Sequence, residues 1–316
     1  MIFTDYKPPF LLRNGHLNTI YAPLFRRQKS LAFIRERLNL PDGDFLDLDF
    51  LRANHRRLVI LCHGLEGSSS SQYMIGLSSI FHANNWDVLA INYRGCSGEM
   101  NRAVRMYHSG ATGDLDFVIQ SVKHQYDALA LVGVSLGGNM VSVYAGQQAE
   151  NIDPKIKGIV GISVPTNLLA GVHKIMQASN YIYERRFLKS LLTKMRLKAR
   201  QYPEIFTEEK IRSVRTIYEF DDTFTGPISG FKDAKDYYTK CSSGQFIPKI
   251  RVPTLIINAL DDPFLPDECY PSKEMISNKF VTLLYPEYGG HVGFVQFGQK
   301  HYWEEKIALQ FLMSVV

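Results

Sequence analysis

Six short, almost wholly apolar runs recur along this chain, at positions 58–62, 88–91, 128–134, 159–162, 254–257 and 281–284. A strand that alternates apolar and polar residues can leave one face in water, whereas a run that is apolar throughout has to be covered on both faces. Helix-length segments at 72–83, 113–124, 138–150 and 267–277 separate several of the runs. Parallel neighbours need crossover connections of that kind, so the pattern predicts an α/β fold with a mainly parallel central sheet flanked by helices. Ahead of the first run, residues 33–51 alternate on either side of Pro41-Asp42-Gly43 and read as a β-hairpin that opens the sheet.

The alternation breaks between Pro165 and Pro253, a gap too long for a structureless loop in a compact domain. Within it Phe187, Leu188, Leu191, Leu192 and Met195 share one helical stripe. Residues 166–246 are therefore expected to be a helical cap inserted into one domain spanning 1–316. The composition, 45% hydrophobic and 21% charged, is that of an ordinary folded protein. A net charge of +5 spread along 316 residues gives little support to nucleic-acid binding. Cys62, Cys96, Cys241 and Cys269 form no C-x-x-C pair and have no histidine cluster nearby, so reduced thiols and no metal site are expected. Residues 1–10, broken by Asp5, Lys7 and two prolines, lack the apolar core of a signal peptide. No run approaches the roughly 18 apolar residues of a membrane span, and a cytoplasmic protein is the expectation. The stretch 184–200 carries Arg185, Arg186, Lys189, Lys194, Arg196, Lys198 and Arg200 beside its apolar stripe. That composition suits the solvated face of a packed helix or, alternatively, a weak peripheral contact with an anionic membrane.

The third run leads into Gly133-Val134-Ser135-Leu136-Gly137 and then directly into a helix-like segment. A serine hydroxyl is a weak nucleophile and has to be presented on a tight turn where a base can reach it. A G-x-S-x-G between strand and helix has that form, with Gly133 and Gly137 leaving room for crowded backbone. Acyl transfer also needs two preorganised N–H donors for the tetrahedral oxyanion. The backbone N–H groups of Leu136, at the helix start, and Leu65, in His63-Gly64-Leu65-Glu66-Gly67, are the expected pair; His63 reads as a structural histidine. An acid is expected after a late strand, where Asp261 and Asp262 compete, and the Asp-Pro-Phe-Leu spacing favours Asp262. The base is expected last, at His291 within Gly289-Gly290-His291-Val292-Gly293. Serine, aspartate, histidine is the chain order of the α/β-hydrolase triad.

These residues resemble the YheT-like branch of the α/β-hydrolase superfamily, which includes the plant embryogenesis-associated EMB8-like proteins and several mammalian α/β-hydrolase domain-containing proteins. The resemblance spans most of the chain. It rests on Gly15-His16-Leu17-Asn18-Thr19-Ile20, His63 to Gly67, Asn92-Tyr93-Arg94-Gly95-Cys96-Ser97-Gly98-Glu99, Tyr107-His108-Ser109-Gly110, Gly133 to Gly138, Asn258 to Phe264 and Gly289-Gly290-His291. It implies the α/β-hydrolase fold, a Ser135, Asp262 and His291 triad, no cofactor, and action on small-molecule carboxylic esters, in some members acylglycerols and other lipid esters. Thioester hydrolysis and acyl transfer to an alcohol would use the same machinery. The H-x-x-x-x-D acyltransferase pattern is absent, since Gln296 stands five residues past His291. A carboxylate nucleophile, as in epoxide hydrolases, is excluded by Ser135. A non-catalytic binding protein of the same fold is the rival from another class. Arg94 and Glu99 are expected to brace the loop beside the nucleophile by pairing with each other or, alternatively, to contact substrate, with bracing favoured, and His16 and His108 to be structural.

Overall fold

Burial on both sides is why the apolar runs show no alternation. In the computed structural model, which describes residues 4–272 and 277–316, Leu58, Ile60, Leu129 and Leu131 face one side of the sheet, and Val59, Leu61, Ala130 and Val132 face the other. The strands are β1 (Ile34–Asn39), β2 (Phe45–Leu51), β3 (Arg57–Cys62), β4 (Asp87–Asn92), β5 (Ala128–Val134), β6 (Ile156–Ile162), β7 (Thr254–Ile257) and β8 (Val281–Leu284). Among the described residues they form one sheet in the order β1-β2-β4-β3-β5-β6-β7-β8. The hairpin expected at 33–51 supplies the antiparallel edge, and β2 also runs antiparallel to β4. Every other pairing is parallel.

Helix α1 (Gly15–Phe25) precedes the sheet, and α2 (Gln72–His82), α3 (Thr112–Val122) and α4 (Leu136–Gln148) are crossovers. Between β6 and β7 the chain forms α5 (Leu168–Ile175), α6 (Tyr181–Ala199), α7 (Glu208–Ser213), α8 (Ile217–Phe220), α9 (Gly226–Ile228) and α10 (Ala234–Cys241). Helix α11 (Trp303–Val315) closes the chain. Side chains of α3 and α4, among them Leu115, Ile119, Met140 and Tyr144, cover one face of the sheet. Met74, Phe81, Trp303 and Phe311 from α2 and α11 cover the other.

The excursion between β6 and β7 is helical, as expected, and consists of the long α6 with several short helices around it. Isolated helices as short as the others are marginal, and side-chain caps hold four of them in place: Asn167 for α5, Thr207 for α7, Thr216 for α8 and Asp233 for α10. The predicted stripe lies on α6, where Leu191 and Met195 join Phe206, Ile211, Phe220 and Phe224 in a separate buried cluster. Its basic residues are not all solvated. Lys198 is buried and donates to the carbonyls of Asn101 and Ala103 at 2.6 and 2.5 Å, and Lys194 reaches Glu66 at 2.7 Å.

A helix was expected over 267–277. A single 3-10 turn forms at Asp267–Cys269, and Tyr270 leaves helical geometry because it precedes Pro271; residues 273–276 lie outside the described residues. All four cysteines are buried and unpaired. Among the described residues no helix is long and apolar enough to cross a membrane.

Backbone packs closely where β5 meets α4. A Cβ on Gly133 would sit 2.2 Å from the Gly137 carbonyl oxygen, and one on Gly137 would sit 2.2 Å from the Cys62 carbonyl oxygen. Backbone, not a flexible side chain, occupies both positions. Gly137→Ala is therefore expected to cost roughly 1–3 kcal/mol of stability. Urea unfolding measures it as a lower midpoint at unchanged slope; a variant as stable as the parent contradicts this close approach.

Candidate active site

Ser135 is the single residue between β5 and α4. Its φ of 53° and ψ of −117° are unusual for a residue with a side chain and cost about 1–3 kcal/mol. The junction fixes them: the Ser135 N–H donates to the Ile162 carbonyl at 2.8 Å, and its own carbonyl accepts the Asn139 N–H at 3.0 Å. The turn puts Oγ outside both elements, in a cavity also lined by His291.

His291 Nε2 lies 2.9 Å from Ser135 Oγ, and His291 Nδ1 lies 2.8 Å from Asp262 Oδ2. The Asp262 side chain is fully buried and that of His291 nearly so. Asp262 Oδ1 accepts the Phe264 N–H at 2.8 Å, which fixes the carboxylate. The three residues expected from the sequence thus meet, and of the two competing acids it is Asp262 that faces the imidazole. Asp261 accepts the Gly290 N–H at 2.7 Å instead.

Sequence reasoning missed what holds the histidine loop. The His291 N–H donates to Thr19 Oγ1 at 2.8 Å, and the Val292 N–H donates to Ser163 Oγ at 3.0 Å. Thr19 belongs to the Gly15 to Ile20 motif, whose presence was visible but whose purpose was not; a partner 272 positions away leaves no local pattern.

The loop after β3 carries the other expected donor. There Gly64 N–H donates to Tyr73 OH at 2.9 Å, Glu66 N–H to Tyr107 OH at 2.9 Å and Gly67 N–H to the Gly64 carbonyl at 3.0 Å. The N–H groups of Leu65 and Leu136 meet no acceptor among the described residues, and both residues line the cavity beside Ser135. Glu66, at a φ of 56°, is fixed from three sides: its carboxylate accepts from Tyr107 at 2.8 Å, Ser190 at 2.5 Å and Lys194 at 2.7 Å. The last two come from α6, so the donor loop and the insertion are tied together.

His63 is buried, and burial pushes its pKa down to about 3. The neutral ring donates from Nδ1 to the Gly64 carbonyl at 2.7 Å and accepts the Tyr93 N–H on Nε2 at 3.3 Å, joining the ends of β3 and β4. His108, pushed down to about 4 by burial, accepts the Gly110 N–H. His16 lines the cavity with its ring stacked 5.8 Å from that of Tyr183. Arg94 and Glu99 do not pair with each other. The buried Arg94 guanidinium instead meets Asp42, Asp44 and Asp114 at 2.7–2.8 Å, and the exposed Glu99 meets Arg37 at 2.7 Å. A side chain almost wholly removed from water takes the three carboxylates that surround it, so Arg94 ties the β1–β2 turn to the first turn of α3 rather than bracing its own loop through Glu99.

The cavity measures about 1060 Å³, at or above the upper end of ordinary small-molecule sites, about 300–1,000 Å³. Its floor is Ser135, Leu136, Leu65 and His291, and its walls include Val172, Phe187, Met195 and Phe224 of the insertion. Among the described residues no three His, Cys, Asp or Glu side chains cluster as metal ligands.

The model of the α/β-hydrolase fold family matches residues 57–296. The chain is 37% identical over 290 residues to YheT, a candidate esterase of Escherichia coli K12, covering 89% of this chain and 84% of that one. It is 26% identical to phospholipase ABHD3 of Bos taurus, over 100% of this chain and 80% of the relative. Among solved structures, the Pyrococcus furiosus esterase Pf2001 superimposes with a TM-score of 0.58 at 14% identity, covering 100% of this chain and 99% of the other; at that identity the likeness is one of fold.

Burial pushes the Asp261 carboxyl from its ordinary 3.8 up to about 6. The folded protein therefore holds this proton more tightly than the unfolded chain. The group lowers stability progressively as pH rises from about 3.8 to about 6, and the penalty is complete above that. Asparagine keeps an oxygen for the Gly290 N–H but cannot ionise. Relative to the parent, Asp261→Asn is expected to be more stable at about pH 8 than at about pH 4. Thermal unfolding at both values measures it, and an equal difference at the two contradicts the assignment.

Proposed function

Because the chain belongs to the α/β-hydrolase family and is a hydrolase, we propose that it cleaves carboxylic esters through an acyl-enzyme on Ser135. Ser135 Oγ attacks the ester carbonyl carbon as His291 Nε2 takes its proton. The oxyanion of the tetrahedral intermediate rests between the Leu65 and Leu136 N–H groups. His291 then gives the proton to the departing alcohol, leaving an ester on Ser135. Water, deprotonated by His291, attacks that ester, and Ser135 leaves with the proton as the acid is released. Asp262 keeps the Nδ1–H tautomer of His291 in place and stabilises the imidazolium. The observation that carries this reading is the pair of hydrogen bonds, 2.9 and 2.8 Å, joining Ser135, His291 and Asp262 in one line.

The helical insertion serves as the cap, and its apolar walls supply the acyl site. A cavity of about 1060 Å³ suits a long acyl chain better than a short one, which agrees with a relative named as a phospholipase.

Steady-state hydrolysis of p-nitrophenyl esters of graded chain length tests the reading. Activity is expected to rise with chain length and to disappear in Ser135→Ala. Asp262→Asn is expected to lower kcat by roughly 10⁴-fold with little change in KM, and Asp261→Asn by far less. Undiminished hydrolysis by Ser135→Ala would defeat the proposal.

A further inference from the structure

Among the described residues, most of the large apolar side chains exposed to water fall in two segments, 10–25 and the start of α6. Phe10 and Leu11 are 80% and 72% exposed, Leu24 and Phe25 on α1 are 67% and 62% exposed, and Ile182 at the start of α6 is 79% exposed. Leu17, Ile20 and Leu24 recur at i, i+3 and i+7, so α1 turns an apolar stripe outward. The two helices are neighbours, because the rings of His16 and Tyr183 stack. Leu24 and Ile182 are both exposed and part of the cavity wall, and so mark where the cavity opens. An apolar rim of this kind, set around an apolar cavity, is the signature of an interaction surface rather than of scattered surface leucines.

Charge identifies what the rim meets. No acidic residue occurs between Asp5 and Glu36, a stretch that carries Arg13, Arg27 and Lys29. On α6 the one acid near the rim, Glu184, is buried, whereas Arg185 and Arg186 are exposed. Among the described residues, Arg13, Arg27, Lys29 and Arg186 form no ion pair with a carboxylate. A second copy docked by two-fold symmetry would bring these cations towards their own equivalents. An anionic lipid surface satisfies both features at once: the apolar side chains enter the acyl boundary and the arginines and lysines meet the headgroups.

We propose that the rim formed by the 10–29 segment and the start of α6 docks on an anionic bilayer, with the cavity mouth against the membrane. A lipid ester then passes its acyl chain from the bilayer into the cavity without crossing water; this last step rests on the ester-hydrolase reading above. The docking face uses only the first turns of α6, because Lys194 and Lys198 further along are engaged inside the protein.

Co-sedimentation with sucrose-loaded vesicles tests the docking, using phosphatidylglycerol vesicles against phosphatidylcholine vesicles at low and high salt. The wild type and Ser135→Ala are both expected to pellet with phosphatidylglycerol, less with phosphatidylcholine, and less as salt rises. Phe10 and Leu11 lie outside the cavity wall. The double variant Phe10→Glu with Leu11→Glu is expected to lose roughly tenfold or more of this partitioning, as is Arg27→Glu with Lys29→Glu, while hydrolysis of a soluble p-nitrophenyl ester is unchanged in both. Three results overturn the docking: wild type left in the supernatant with phosphatidylglycerol, variants that pellet like the parent, or a wild-type dimer that the apolar double variant abolishes. Loss of soluble ester hydrolysis in the wild type, with vesicle binding intact, would instead overturn the ester reading alone.

Discussion

The backbone of Ser135 is the constraint on which the rest of the site depends. A conformation costing about 1–3 kcal/mol persists only where its surroundings over-determine it. Here a fully buried strand enters the turn, a buried helix leaves it, and the N–H of Ser135 is taken by β6. Small residues along α4 let the helix lie close to the sheet, which points the first turn of the helix at Ser135 Oγ. Free N–H groups at a helix start favour negative charge nearby. Strain in one residue and an electropositive site beside it thus arise from a single junction.

The partners of Ser135 come from loops, and loops need anchoring. The histidine loop is held from three distant parts of the chain, through Thr19, Asp261 and Ser163. The donor loop is held by Tyr73, Tyr107 and the Glu66 network that reaches α6. Displacing α1 or α6 would therefore disturb groups that neither helix contains, and the same two helices frame the cavity mouth.

The sheet was legible because strands buried on both faces cannot hide: β3, β5 and β7 coincide with apolar runs, and the hairpin ahead of them carries its own turn. Ser135, Asp262 and His291 were legible because each follows a strand, in an order that few chemistries use. The choice between Asp261 and Asp262 was only a preference in the sequence, since adjacent carboxylates differ in direction rather than in pattern. What stayed hidden depends on long-range contact. Arg94 and Glu99 are close in sequence and look like a pair, yet the turn of the hairpin, 50 residues earlier, takes Arg94. Thr19 has no local signature for a bond to His291. In the insertion only α6 is long enough for its apolar stripe to be read; the shorter helices fall below that length, and their caps became meaningful only once the helices were placed.

A covalent intermediate on Ser135 is the central claim, and trapping it is the most direct measurement. The enzyme is quenched in acid during turnover of a slowly deacylated ester, and the protein is examined by intact-mass and peptide mass spectrometry. The account predicts one acyl group per chain, on the peptide that contains Ser135. An adduct on another residue, or turnover of the ester with no adduct at any time before or during the steady state, would contradict it.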